Sequence, residues 1–501
     1  MNNDLAFRVA LIQLLQELHQ RLIQPTIFVE EKFNDTFLEK DLKNLTRFRR
    51  SSDISSSDIG VGSLKFFHRL QQLPNHIFIA DQKLPSPIDI FKLMQIGYQY
   101  DGYRYLSSVS RPLRSDHQLR ILIVTNLYPP QELGGYGRSI YDFAQNFLLL
   151  GHKIQVLTTD APYLGGNCSG EKDVDRSLFL LGTYHNGLHV ENDQTKLQYM
   201  VNSNCSLLHQ YISRFHPHAI LFGNLDMLGH QLLHIAANCG IPSFHHHGFS
   251  QAAFMQADLP PSKIYHPVAN SYYSAREMTN QLPKYSPIDV IYPGAQTHLF
   301  SDLQPIPLGN VLKIGFAGLL IGAKGAHILI EALAKLKQVG IPFECQIAGG
   351  TLTRDYPRHL IRLCRSLNLL DDVLFLGKID RYRLRQFYID NPIFVFPSTW
   401  QEPFGITQVE ALAAGCLVVT SATGGASETV FDDINGRRFE PSNSDHLAQI
   451  FIEIYQNITF HEGLRLKGRQ MVQRKFDTAR ESHKFSQLII NHVKSHNELI
   501  C

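Results

Sequence analysis

Ile121-Leu-Ile-Val-Thr125 is a short apolar run rich in β-branched residues. A loop follows over 126–138, then a helix-like stretch to about Leu150, then Gly151-His152 and a second apolar run, Ile154-Gln-Val-Leu-Thr158. Strand, helix and strand at this spacing make a βαβ unit with a parallel sheet. Further strands are expected at Ala219–Phe222, Ser243–His246 and 290–292.

The same alternation restarts after a proline-containing, aperiodic stretch at 301–309, where a hinge is expected. Strands are predicted at 313–317, Phe343–Ala348, 373–376, Ile393–Phe396 and Leu417–Thr420, and helices at Ala326–Gln338, 358–367 and 405–414. A last helix-like stretch covers about 476–493. The class is therefore α/β, with two parallel units in tandem, and ligands of such sheets bind at the carboxyl ends of the strands. The expected boundaries are 119–305 and 310–475 for the two sheets and 476–495 for the closing helix, which is expected to pack back on the first domain. Residues 1–115 form an extension without a chemical motif. Leu5, Val9, Ile12, Leu15 and Leu22 have helical spacing there, and a Ser-rich stretch, 47–58, reads as a loop or linker. That helix has three candidate partners: the main body, another protein or a membrane surface.

A chain of 501 residues fits two or three domains and builds an ordinary core. Its 47 basic and 45 acidic residues leave a net charge of +2, so no global field collects nucleic acid or acidic lipid. The seven cysteines (Cys168, Cys205, Cys239, Cys345, Cys364, Cys416 and Cys501) are odd in number and lack C-x-x-C spacing. They read as reduced thiols in a cytoplasmic protein. The start, Met-Asn-Asn-Asp, has no basic n-region. No apolar run approaches the roughly 18 residues of a membrane span. The expected location is the cytoplasm, with peripheral contact at the membrane face left open; the oligomeric state is left open too.

The strongest chemical segment is Pro397-Ser-Thr-Trp-Gln-Glu402-Pro-Phe-Gly-Ile-Thr-Gln-Val-Glu410-Ala-Leu-Ala-Ala-Gly415. A strand end, a loop with Glu402 and a helix start near Gly405 put both carboxylates at one end of a domain. The free amides of a helix start suit a diphosphate. A carboxylate beside it suits vicinal hydroxyls. Taken alone, Glu410 reads equally well as an acidic residue offsetting the helix dipole.

Three more segments stand out, the first two of them following strands. Gly315-Phe-Ala-Gly-Leu-Leu-Ile-Gly-Ala-Lys324-Gly325 offers close backbone approach at Gly318 and a cation at Lys324. Tyr128-Pro-Pro-Gln-Glu-Leu-Gly134-Gly135-Tyr-Gly-Arg138 can turn amides towards phosphate. Ile241-Pro-Ser-Phe-His-His-His247-Gly248 invites a metal, but neighbours in an extended segment point to opposite faces, and no Asp, Glu or Cys cluster flanks them. No metal is expected.

Two glutamates with seven residues between them, in P-S-x-x-x-E-P-F-G-x-x-x-x-E-A-x-A-x-G, resemble the signature of family 4 retaining glycosyltransferases, over about three quarters of the chain. The resemblance implies the GT-B fold: two Rossmann-like domains facing a central cleft, here with an extra, mostly helical N-terminal region. It implies a nucleotide-diphosphate sugar as co-substrate, a hydroxyl acceptor, and no cofactor. Glu402 resembles the contact to the transferred sugar. Phe404, Gly405 and Ile406 resemble the loop whose backbone reaches sugar and phosphates, and Glu410 the ribose contact. Gly318 and Lys324 fall in the family's G-R-L…K-G segment, and Gly134 and Gly135 in its phosphate-facing loop. His247 aligns with its active-site histidine; His245 and His246 are expected to be packing or turn residues. Thr423-Gly-Gly-Ala-Ser-Glu428 resembles its glycine-rich turn and acidic residue, Asn270-Ser271 its next strand end, and Gly294 and Gly436 its structural turns. The chain departs from the pattern at Leu319, where the family has an arginine that pairs with diphosphate. A catalytically weakened scaffold is the alternative that this departure raises. An epimerase fits the glutamate spacing poorly, and a phosphorylase lacks an evident pyridoxal lysine motif.

Overall fold

The computed structural model describes residues 118–500 apart from 167, 169, 170, 172, 186, 301, 302, 304, 305 and 352, together with six short strands among the first 107 residues. Those strands are β1 (Thr26–Val29), β2 (Arg47–Arg50), β3 (Ile59–Gly62), β4 (Ile77–Ala80), β5 (Tyr98–Tyr100) and β6 (Tyr105–Ser107). They pair in the order β2-β1-β3-β4-β6-β5, parallel up to β4 and antiparallel beyond it. The sequence reading did not pick out this sheet, and the helix expected over 5–23 lies outside the described residues. The sheet belongs to one compact unit and the two larger sheets to another.

The larger unit holds two all-parallel sheets. The first contains β7 (Arg120–Val124), β8 (Lys153–Thr159), β9 (Val174–Leu178), β12 (Ala219–Phe222), β13 (Ser243–His246), β14 (Tyr265–Ala269) and β15 (Asp289–Val290). A small hairpin of β10 (Gly182–Thr183) and β11 (His189–Val190) lies apart from it. The order is β15-β14-β13-β12-β7-β8-β9. The second sheet contains β16 (Leu312–Ala317), β17 (Phe343–Ala348), β18 (Val373–Gly377), β19 (Ile393–Phe396), β20 (Leu417–Thr420) and β21 (Arg437–Arg438), in the order β18-β17-β16-β19-β20-β21. Both orders are the doubly wound one, third-second-first-fourth-fifth-sixth, with β15 added as a seventh strand in the first sheet, and the order reverses between β7 and β12 and between β16 and β19. Ligand sites of such sheets form at these switch points.

The central strands form because both of their faces are covered. Ile121, Leu122, Ile123 and Val124, then Ala219 to Phe222, then Ile393, Phe394 and Val395 are buried without interruption, as a sheet flanked by helices requires. Five helices matter for the site: α1 (Tyr136–Leu149), α2 (Tyr272–Gln281), α3 (Arg381–Asp390), α4 (Ile406–Ala414) and α5 (Thr478–Ile500). The strand expected over 290–292 is only the two-residue β15, because Tyr292 already leaves the sheet edge to donate its backbone N–H to Glu481.

The chain crosses between the sheets twice, side by side. Ala295 N–H donates to the Phe476 carbonyl at 2.8 Å and Thr478 N–H donates to the Ala295 carbonyl at 2.9 Å. After the second crossing α5 returns to the first sheet. The Phe485 ring stands edge-on to Phe143, Phe147 and Phe244 at centroid distances of 5.4, 5.8 and 6.4 Å.

Candidate functional site

Four loops run from the two switch points. In the second sheet, the loop after β16 carries Gly318 and Lys324, and the loop after β19 carries Glu402. The two are stitched together: Thr399 N–H donates to the Ala323 carbonyl at 2.9 Å. Lys324 Nζ lies 2.6 Å from Glu402 Oε1, and Ser398 Oγ donates to the same oxygen at 2.5 Å. The Glu402 backbone is fixed as well, since its carbonyl accepts from Gly425 N–H at 2.7 Å. Two predicted residues thus meet in one ion pair. Leu319 is half-buried in the same loop as Lys324.

Gly405 (φ +88°) turns the chain into α4, whose first turn has no side-chain cap. That leaves the first backbone N–H groups without a side-chain acceptor, the arrangement that suits an anion. Phe404 points the other way. Its ring is buried against Tyr292 and Phe476, so only its backbone belongs to the loop surface.

The first sheet supplies the loop after β7. Gly134 is exposed there and takes a left-handed φ of +70°. Gly135 faces the other domain: a Cβ placed on it would stand 3.1 Å from Ile406 Cδ1 at the start of α4. The two glycine-bearing loops therefore touch. A bulkier residue at 135 would hold the sheets apart.

His245, His246 and His247 lie at the end of β13 with different partners. His245 Nδ1 pairs with Tyr265 Oη at 2.8 Å, and His246 Nε2 pairs with the Ile291 carbonyl at 2.9 Å. Tyr136 Oη donates to the His246 carbonyl. His247 extends the ladder through its N–H to the Val268 carbonyl. Its ring lies 3.8 Å from that of His245, and its buried Nε2 has no hydrogen-bond partner. Burial, reinforced by His245 and His246, holds the His247 imidazole well below its ordinary pKa. It is neutral at physiological pH. Among the described residues no group of three or more His, Cys, Asp or Glu is placed to hold a metal ion.

Glu410 is in the second turn of α4 and buried. Tyr388 Oη donates to its Oε2 at 3.3 Å, and Arg381 Nη1 stands 3.3 Å from its Oε1. Arg381 also faces Asp142 of α1, across the two domains. Sequence reasoning missed Arg381, Asp142 and Tyr388. They come from two helices, α1 and α3, that lie far apart along the chain and far from Glu410, and no spacing ties them together. Glu428 ends up between the domains too. Its carboxylate accepts from Tyr272 N–H at 3.1 Å and Tyr273 N–H at 2.7 Å, and from Tyr292 Oη at 2.7 Å.

Two doubly wound sheets joined by paired crossings, with glycine loops meeting at their switch points, define the GT-B class. Residues 306–471 match the family model described as glycosyl transferases group 1. Glycosyltransferase is the class of enzyme that this match supports. It is 25% identical over 388 residues to an uncharacterized glycosyltransferase of Methanocaldococcus jannaschii, covering 72% of this chain and 94% of that one. It is 31% identical over 159 residues to the D-inositol 3-phosphate glycosyltransferase of Mycolicibacterium smegmatis, spanning 36% of that relative's length. Among solved structures, Anabaena HepE in complex with UDP and glucose superposes with a TM-score of 0.60 at 20% identity, over 75% of this chain and all of that one. Sucrose-phosphate synthase of Thermosynechococcus elongatus superposes with a TM-score of 0.61 at 18% identity, over the same shares. These likenesses establish the fold. No helix among the described residues is long and apolar enough to cross a membrane.

Proposed function

We propose that the chain is a retaining glycosyltransferase that moves a sugar from a nucleotide-diphosphate sugar to a hydroxyl acceptor. One observation carries this reading: the Lys324–Glu402 pair sits at one switch point, and Gly135 of the other reaches Ile406 beside it. A diphosphate between these loops has amide donors from the start of α4 and from Gly134 and Gly135, with the Lys324 ammonium as counter-charge.

In this reading Glu402 binds sugar hydroxyls and supports the positive charge that develops at the anomeric carbon. It is not a nucleophile. The sugar–phosphate bond breaks on the face where the acceptor oxygen attacks, and the departing phosphate takes the acceptor proton. Pre-aligned donors around the leaving diphosphate stabilise the charge that builds there. No second carboxylate across the anomeric carbon is needed, in contrast to a glycosidase. His247, buried and neutral, serves as a hydrogen-bonding group for the sugar through its unpartnered Nε2. Glu410 holds the ribose. No metal enters the scheme.

UDP, held by the structural neighbour HepE, is the first nucleotide to try. Calorimetric titration of the full chain with UDP-, GDP- and ADP-sugars, followed by NMR assignment of the anomer formed, tests the proposal. Binding of one donor and transfer with retained configuration are expected. An inverted product overturns the retaining mechanism, and binding without hydrolysis or transfer makes the chain a scaffold.

A further inference from the structure

Arg381 is the first residue of α3, and that helix has Arg381 and Arg383 but no acid in its first turn. Cations at a helix start oppose the helix dipole. Asp380 caps the turn by accepting from Arg383 N–H at 2.8 Å, which offsets part of the conflict. Local preference gives no reason for an arginine here, and a broken local rule marks a position kept for another purpose.

The guanidinium spans two carboxylates from different domains. Nη1 is 3.3 Å from Glu410 Oε1, and Nη2 is 4.0 Å from Asp142 Oδ2. The side chains of Glu410 and Asp142 are only 6% and 8% exposed, and that of Arg381 28%. The second oxygen of each acid is engaged as well, Glu410 Oε2 by Tyr388 Oη and Asp142 Oδ1 by Gln296 Nε2. One guanidinium therefore stands between two acids whose other oxygens are already engaged, closer to Glu410 than to Asp142. Burial works against the arginine's charge, and Glu410 and Asp142 outweigh it. Buried ion networks of this kind are weak contributors to stability, and apolar side chains of similar size often serve as well or better.

We propose that Arg381 and Asp142 are positioning residues for Glu410, setting its carboxylate for the nucleotide from across the two domains. The inference rests on the donor reading of Glu410. When the domains approach, Asp142 of α1 meets the free edge of the guanidinium, and the other edge turns the Glu410 oxygens. Domain approach and nucleotide affinity then become one linked equilibrium.

The test is calorimetric titration of the full chain with UDP, GDP and ADP, alongside melting temperatures. Arg381→Gln is expected to weaken binding about tenfold, and Arg381→Lys to restore part of it, as loss of a half-buried ion-pair partner predicts. Asp142→Asn is expected to weaken binding about threefold, with no further loss in the Arg381→Gln background, because residues of one network are not additive. A merely structural role would lower melting temperatures without that coupling. If Glu410→Gln loses binding while Arg381→Gln binds like the parent, the inference falls and the donor reading stands. Independent, additive losses from Asp142→Asn and Arg381→Gln overturn it as well. If the parent binds none of the three nucleotides, the donor reading fails and the inference falls with it.

Discussion

Lys324 and Glu402 form an ion pair whose two halves face different media: the lysine side chain is 29% exposed, the glutamate 4%. Removing the lysine leaves a nearly buried carboxylate with Ser398 as its remaining side-chain donor. Lys324→Ala is expected to destabilise the fold by about 1–2 kcal/mol, less than a fully buried pair would lose, because water reaches the lysine. Transfer is expected to fall much further than stability. Thermal unfolding and donor turnover on the same preparation separate the two effects.

Gly135 sets how closely the glycine loops approach. Gly135→Ala needs Ile406 to yield by a few tenths of an ångström, and a weakening of donor binding below about threefold is expected. Gly135→Val overfills the contact, and overpacking typically costs about 1–3 kcal/mol, here taken from domain approach. Combining Gly135→Ala with Ile406→Ala should return binding to the parent value by calorimetry. Failure of that rescue would detach the glycine from the approach of the domains.

Asp142 gives a pH signature. Burial, against the pull of Arg381 and Arg138 and with the push of Glu410 and Glu132, raises its carboxyl to about 6 from 3.8. The folded state therefore holds this proton more tightly than the unfolded state. The stability it contributes is complete below about pH 4 and is lost as pH rises towards 6. Asp142→Asn should flatten the stability profile in that window and raise stability at pH 7, with an upper bound of about 3 kcal/mol at roughly 1.4 kcal/mol per pKa unit. A more stable variant with weaker nucleotide binding is the combined expectation. Urea unfolding at pH 4, 5, 6 and 7 measures it.

Glu428 caps α2 from the opposite domain, taking two backbone N–H groups of its first turn. Glu428→Ala should lose about 0.5–2 kcal/mol, the usual range for a lost cap. Because the cap spans the domains, donor KM should rise as well. A lower melting temperature with unchanged KM would confine the residue to helix stability.

Leu319 offers no charge where relatives of this fold are expected to carry one. Leu319→Arg is expected to tighten donor binding by about three- to tenfold if the diphosphate lacks a guanidinium partner. Unchanged calorimetric affinity means that another cation already serves.

The strands Ala219–Phe222, Ser243–His246, Phe343–Ala348, Ile393–Phe396 and Leu417–Thr420 were readable to the residue. Parallel strands covered on both faces are written as unbroken apolar runs. β9, Val-Asp-Arg-Ser-Leu, escaped that reading because an edge strand is half solvated and carries charge. The loop with Glu402 was legible because its residues are contiguous, and so was its neighbour Lys324, through the order of the motifs. Arg381 was not. Nothing in Asp380-Arg-Tyr-Arg separates a bridging arginine from a solvated one until α1, α3 and α4 are folded against each other. Phe404 shows the reverse limit: its motif was readable, but only packing reveals that its ring serves the core.

The paired crossings at Ala295 and Asp477 carry a consequence for motion and for cutting. Two parallel pins leave a door one axis to swing on and resist twist. Opening should therefore proceed as a single swing that keeps the glycine loops in register. A nick in the first crossing alone would leave the halves tied by the second. Truncation before α5 would strip Phe485 from the aromatic bed of the first sheet, so the chain's first α/β half depends on its last helix to be whole.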